Sequence, residues 1–172
     1  MRSRAIPWIF CLLAALSAAA AARAQKKDYL TNTEADKIRD ADTPSIRIKL
    51  FVSFAADRIE KLKYEFAHPG DTLRRSERLN GLINGYTGCV DEAADLIDLG
   101  LDKQQNIRDA VKDFQAHAPD FLAYLKELAA KGPDLDEYKV NLDDAIEATT
   151  DAMKSADEAA KEIAPPPARR AP

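Results

Sequence analysis

Residues 81–100 read GLINGYTGCVDEAADLIDLG, with three of the chain's six glycines inside eight residues and Cys89 directly after the third. The fold turns on whether this stretch is a loop or a helix. A phosphate-binding loop needs Gly-Lys-Ser/Thr after its final glycine, and a dinucleotide fingerprint needs a preceding strand. Here Gly88 leads into Cys89-Val90, and the residues upstream are charged and helical in pattern. Gly81, Gly85 and Gly88 instead recur at four- and three-residue spacing, which makes them one narrow strip on a helix. The strip flanks a face of Leu82, Tyr86 and Cys89. Each glycine costs about 1 kcal/mol relative to alanine inside a helix, a cost that fits a seam where another helix approaches closely. Gly81, Gly85 and Gly88 are therefore predicted to be a helix-contact seam.

The same periodicity extends in both directions. Thr31-Asn32-Thr33-Glu34 fits a capping box that opens a short helix over about 32–42. Pro44 suits the first turn of a second helix, 44–67, whose face is Ile48, Phe51, Ala55, Ile59, Leu62 and Phe66 and which His68-Pro69-Gly70 ends. Asp71 is the expected cap of a third, 72–99, with Gly100 as its stop. Ile107, Val111, Phe114, Ala118, Phe121, Leu125 and Leu128 keep phase through Pro119, so one helix is predicted over 102–131, kinked at the proline. After Gly132-Pro133 a fifth helix, 134–164, carries an alanine-rich inner face. β-branched alternation is nearly absent. The expected fold is all-α: an up-and-down antiparallel four-helix bundle with a short extra N-terminal helix, consecutive long helices being neighbours because their connections are short.

The ends of the sequence carry a different signature. Residues 1–24 have Arg2 and Arg4, an apolar run from Ile6 to Ala22, and Ala22-Arg23-Ala24 as a small-x-small site, which reads as an export signal cleaved after Ala24. The helical domain then spans 25–164, and the proline-rich residues 165–172 are expected to be disordered. Cleavage takes the balance from 25 basic and 29 acidic residues to 22 and 29. A chain that acidic is a poor binder of nucleic acid, which requires Lys and Arg to neutralise phosphates. No second long apolar run is present, so no stable membrane insertion is expected after cleavage. Cys89 is then the sole cysteine, so the expected stabilisation is by packing and the thiol is a candidate for an intermolecular disulfide in a homodimer.

Charge is unevenly spread. Residues 25–88 carry 12 basic and 10 acidic groups, whereas residues 89–164 carry 8 and 19. Arg74, Arg75 and Arg78 gather near one tip as a possible anion patch, within reach of ion pairing to Glu77 and its neighbours. Asp91, Glu92, Asp95, Asp98 and Asp102 lack the alternate-residue spacing of a calcium loop and read as a solvated face. Glu65-x-x-His68 is half of a di-metal motif, but His117 has Asp113 four residues before it rather than a carboxylate at three. His117 also lies off its helix's apolar stripe, and haem attachment by Cys-x-x-Cys-His is absent. No nucleophile is paired with a base. No catalytic residue, metal site or cofactor is expected.

Leu30-Thr31-Asn32-Thr33-Glu34 resembles the Leu-Thr-x-x-Gln motif of small periplasmic helical chaperones of the stress-response type. It occurs once, with Glu in place of Gln. Four long amphipathic helices, a polarised charge distribution and the lack of a catalytic or cofactor constellation give the expectation of a non-enzymatic exported protein, periplasmic or secreted, that works through surface interactions with protein partners as a scaffold, adaptor or chaperone-like bundle. The competing expectation is a small-ligand or metal carrier that uses the bundle interior.

Overall fold

The computed structural model describes residues 29–70 and 74–163, and the regular elements among them are helical. They are α1 (Asn32–Asp40), α2 (Pro44–Ala67), α3 (Arg75–Asp102), α4 (Arg108–Lys131) and α5 (Lys139–Glu162), with a 3-10 turn at Leu135–Glu137. The export segment with its cleavage point, the Asp71 cap and the tail 165–172 lie outside the described residues.

Two helix starts follow their sequence signals. Thr31 caps α1 through a complete capping box with Glu34, and Thr43 accepts a hydrogen bond from the Ile46 N–H ahead of Pro44 in the first turn of α2. The ends of α2 at Ala67 and of α4 at Lys131 also fall where expected, and several other boundaries move. Gly100 does not stop α3; it is buried inside the helix, where an added Cβ would lie 2.8 Å from Ile107. The left-handed residue that ends α3 is Gln104, at φ 52°. The Gln105 N–H reaches the Gly100 carbonyl at 2.8 Å and the Gln104 N–H reaches Leu101 at 2.9 Å, a Schellman ending. α4 consequently begins at Arg108, and it runs unbroken through Pro119. α5 begins at Lys139, because Asp134 at φ 53° and the 3-10 turn precede it.

Side-chain pairs fix the helix directions. Arg78 meets Glu65 and Gly85 lies beneath Arg58, so α2 and α3 are antiparallel. Asn80 bonds Asn141 and Tyr86 bonds Thr149, which makes α3 and α5 parallel. Gln115 bonds Asp157 and Arg108 bonds the Ile163 carbonyl, so α4 and α5 are antiparallel. The four long helices thus alternate in direction. Their order around the bundle is less simple: α2 packs on α3 and α4, α5 packs on the same two, and α3 faces α4 across the diagonal. The expectation that every consecutive pair would be neighbours fails at this connection. Residues 103–107 can span about 17 Å, more than the ~14 Å diagonal of helices packed ~10 Å apart.

The core takes Ile48, Phe51, Ile59 and Leu62 from α2, Leu79, Ile83, Tyr86 and Ile97 from α3, and Val111, Phe114 and Leu125 from α4. α5 contributes Leu142 and a run of small residues, Ala145, Ala152, Ala156 and Ala159, that lets its neighbours come close. Arg58 and Thr149 are the buried polar residues among those described.

Candidate functional site

α1 buries none of its own residues fully: Ile38 packs part-buried against the core, Ala41 just past its end accepts hydrogen bonds from Arg47, and the forked ion pair that docks it lies at its start. The Glu34 carboxylate accepts the Thr31 N–H at 2.8 Å, closing the capping box. The same carboxylate receives the Arg58 guanidinium in a fork: Nη2 donates to Oε2 at 2.7 Å and Nη1 donates to Oε1. Arg58 also donates to the Tyr29 carbonyl at 3.3 Å and to Asp57 at 3.0 Å. The pair is nearly closed to water, with the Arg58 and Glu34 side chains 7% and 13% exposed. Hydrogen bonding from Arg58 holds the Glu34 carboxyl down to about 2, against the cost of burial. The Arg58 pKa is raised in turn, chiefly by its hydrogen bond to Glu34.

The glycine strip of α3 lies under this clamp. A Cβ on Gly88 would fall 2.7 to 2.9 Å from the ring of Tyr29, so the ring occupies the space a side chain would need. At Gly85 the added atom would sit 3.5 Å from Arg58 Nε, in ordinary contact. At Gly81 it would meet nothing within 4 Å. The strip therefore faces a ring, a guanidinium and open space in turn. Cys89 beside it is fully buried, and burial pushes its thiol up to about 12, with Arg58 opposing. A disulfide between two copies would require the helix pair to open around it.

The open end of the strip is part of a groove of about 500 Å³ lined by Glu60, Lys61, Tyr64, Glu65, Arg78, Gly81 and Leu82. Lys61 and Leu82 stand about one helical turn beyond Arg58 and Gly85. Groove and clamp are thus successive turns of one α2–α3 seam. Tyr64 forms one wall; it is 63% exposed and its ring stacks on His68 at 4.3 Å.

The three arginines at this end point to different partners. Arg75 bonds Asp134 at 2.9 Å and lies over the Phe66 ring, Arg78 bonds Glu65, and Arg74 is an exposed left-handed residue at the head of α3. They do not converge on one anion position. Glu65 is therefore engaged by Arg78, while His68 Nδ1 lies 3.1 Å from the Tyr64 carbonyl. His117 Nδ1 lies 2.8 Å from the Asp113 carbonyl, on an exposed face. Among the described residues no three His, Cys, Asp or Glu side chains form a cluster suited to a metal ion. In the acidic half, the Asp98 pKa is raised by burial and then by Asp95, Asp102 and Glu158.

Of the other buried polar atoms, Arg75 Nε has no hydrogen-bond partner, whereas the Tyr86 and Thr149 hydroxyls bond one another. The Thr149 hydroxyl donates to the Ala145 carbonyl at 2.6 Å, which uses its only proton. Tyr86 must therefore be the donor in the 2.7 Å bond to Thr149. Two clamp residues, Arg58 and Tyr29, were not picked out by sequence reasoning. A signal for Arg58 existed, since Phe51, Ala55, Arg58 and Leu62 keep the four-three-four spacing of a buried face.

No protein-family model, characterised protein or solved structure matches this chain. No helix among the described residues is long and apolar enough to cross a membrane.

Proposed function

We propose that this chain is a non-enzymatic, exported helical-bundle protein of the bacterial envelope that acts through its surface, as a scaffold, adaptor or chaperone-like protein. The observation that carries this reading is the α2–α3 groove: an accessible cleft with an exposed aromatic wall at Tyr64 and a charged rim of Glu60, Lys61 and Arg78. A groove with an apolar wall and a polar rim has the make-up of a protein-binding surface. The bundle interior supports a carrier less well, since Tyr86 and Thr149 consume each other's hydrogen-bonding capacity rather than facing a cargo.

The test is the protein purified from its native host without added ligand. Its absorbance spectrum and elemental analysis should show no chromophore and no stoichiometric metal, and in-cell crosslinking should yield discrete adducts to other envelope proteins. A stoichiometric metal or a Soret band, with no adducts, sinks the proposal in favour of the carrier.

A further inference from the structure

We infer that the open notch at Gly81 is a docking site for an aromatic side chain, tyrosine or phenylalanine, carried by an extended segment of a partner protein; this rests on the surface-binding reading above and specifies its ligand. The template is within the molecule. Gly88 already holds an aromatic ring, that of Tyr29, in the space left by its missing Cβ. Gly81 lies seven residues earlier on the same helix, which at about 100° per residue brings it back to within about 20° of the same direction. It therefore opens onto the same seam about 10 Å further along, where nothing lies within 4 Å.

The walls suit the same kind of guest. Tyr64 stacks one ring face on His68 and leaves its other face and edge to an incoming ring. Leu82 supplies apolar contact, and about 500 Å³ accommodates a ring with its adjoining backbone. The rim carries both signs of charge, with Lys61 bonded to Asp57 and Arg78 to Glu65, so it presents polar atoms to a peptide backbone without selecting a strongly charged ligand. The chain cannot readily fill the notch from its own adjacent sequence. Residues 11–28, which lead into Tyr29, contain no aromatic residue. The guest ring is assigned to a partner because Tyr29, the first aromatic residue of the described chain, is already seated at Gly88.

The test uses the full mature chain and two synthetic peptides, one copying residues 27–34 and one identical except for alanine at the tyrosine position. Amide shifts in an NMR titration should centre on Gly81, Leu82 and Tyr64 with the tyrosine peptide and be absent with the alanine peptide. Gly81→Leu should weaken that binding at least about tenfold while raising the melting temperature, because a glycine leaves an exposed helix interior. A loss of binding with a gain in stability separates notch-filling from misfolding. The inference is overturned by equal binding of the two peptides, by no tyrosine-dependent shift at millimolar peptide, or by unchanged binding to Gly81→Leu. Shifts centred on Gly88 with release of Tyr29 also overturn it, as does sedimentation showing that a second copy's Tyr64 fills the groove. None of these results bears on whether envelope partners crosslink elsewhere on the surface, which is judged by the adducts described above.

Discussion

Glu34 and Arg58 lie 24 residues apart and form the forked ion pair that ties the first helix to the bundle. One carboxylate caps its own helix and neutralises a nearly buried guanidinium on another, so the start of α1 and its docking share a single group. Its folded-state pKa of about 2 lies below the ordinary 4.5. The stabilisation is therefore complete above pH 4.5 and is lost as the pH falls toward 2, to an extent on the order of 3 kcal/mol. Amide exchange of residues 29–40 should accelerate in that window before the four long helices respond. Glu34→Gln keeps a capping group and a hydrogen-bond acceptor for Arg58, so it should flatten the acid step. Glu34→Ala removes both and should cost about 3 kcal/mol in the docking of residues 29–40, the low end for breaking a buried pair because Arg58 retains Asp57 and the Tyr29 carbonyl. If Glu34→Gln unfolds with the same acid midpoint as the parent protein, the clamp is not the titrating element.

The three glycines should respond to alanine with different signs. Gly81→Ala meets open space and Gly85→Ala meets Arg58 at ordinary contact distance. Each should gain up to about 1 kcal/mol from helix propensity. Gly88→Ala drives a methyl into the Tyr29 ring, and because the clash includes the ring's root the backbone around Tyr29 must shift. Its expected signature is faster exchange over residues 29–40 alongside an unchanged or raised bundle melting temperature. Equal responses at all three positions would mean that Tyr29 does not occupy the Gly88 notch.

Cys89 should behave as a core residue. The thiolate is the reactive species, and burial that pushes the thiol up to about 12 leaves little of it near neutral pH. Native protein should resist an aromatic disulfide reagent at pH 8 until denaturant unfolds it, and should migrate as a single chain on a non-reducing gel. Rapid native labelling would show that α3 opens locally around Cys89.

Much of this bundle was legible in the sequence because burial imposes a period. Every apolar residue read onto the face from Ile107 to Leu128 is buried, and so are Tyr138 at the head of α5 and Leu142, Ala145, Thr149, Ala152, Ala156 and Ala159 on it. On α3 the expected face of Leu82, Tyr86 and Cys89 holds at Tyr86 and Cys89, but Leu82 is only half-buried and Ile83, Val90 and Ile97 complete the core face. The glycines caused this, since without side chains they do not mark which neighbour faces inward. Gly100 misled for a related reason. It serves close approach to Ile107, and the left-handed turn a glycine usually takes falls to Gln104. The Arg58–Glu34 clamp and the diagonal α3–α4 crossing are long-range relations that no local pattern encodes.

The hydrogen bond from Tyr86 to Thr149 joins α3 to α5 in the centre of the bundle, and its polarity makes the two possible deletions unequal. Tyr86→Phe removes a donor and leaves the Thr149 hydroxyl still bonded to the Ala145 carbonyl. It should cost about 1 kcal/mol. Thr149→Val removes the acceptor and strands the Tyr86 hydroxyl, which is fully buried, so about 2 kcal/mol is expected. In the double variant nothing polar is left stranded. Its cost should therefore be less than the sum of the two single changes, by about 1 kcal/mol of coupling. Denaturant unfolding of the four proteins measures the cycle directly. Strict additivity, or a Tyr86→Phe variant less stable than Thr149→Val, would mean that the proton does not run from the tyrosine to the threonine.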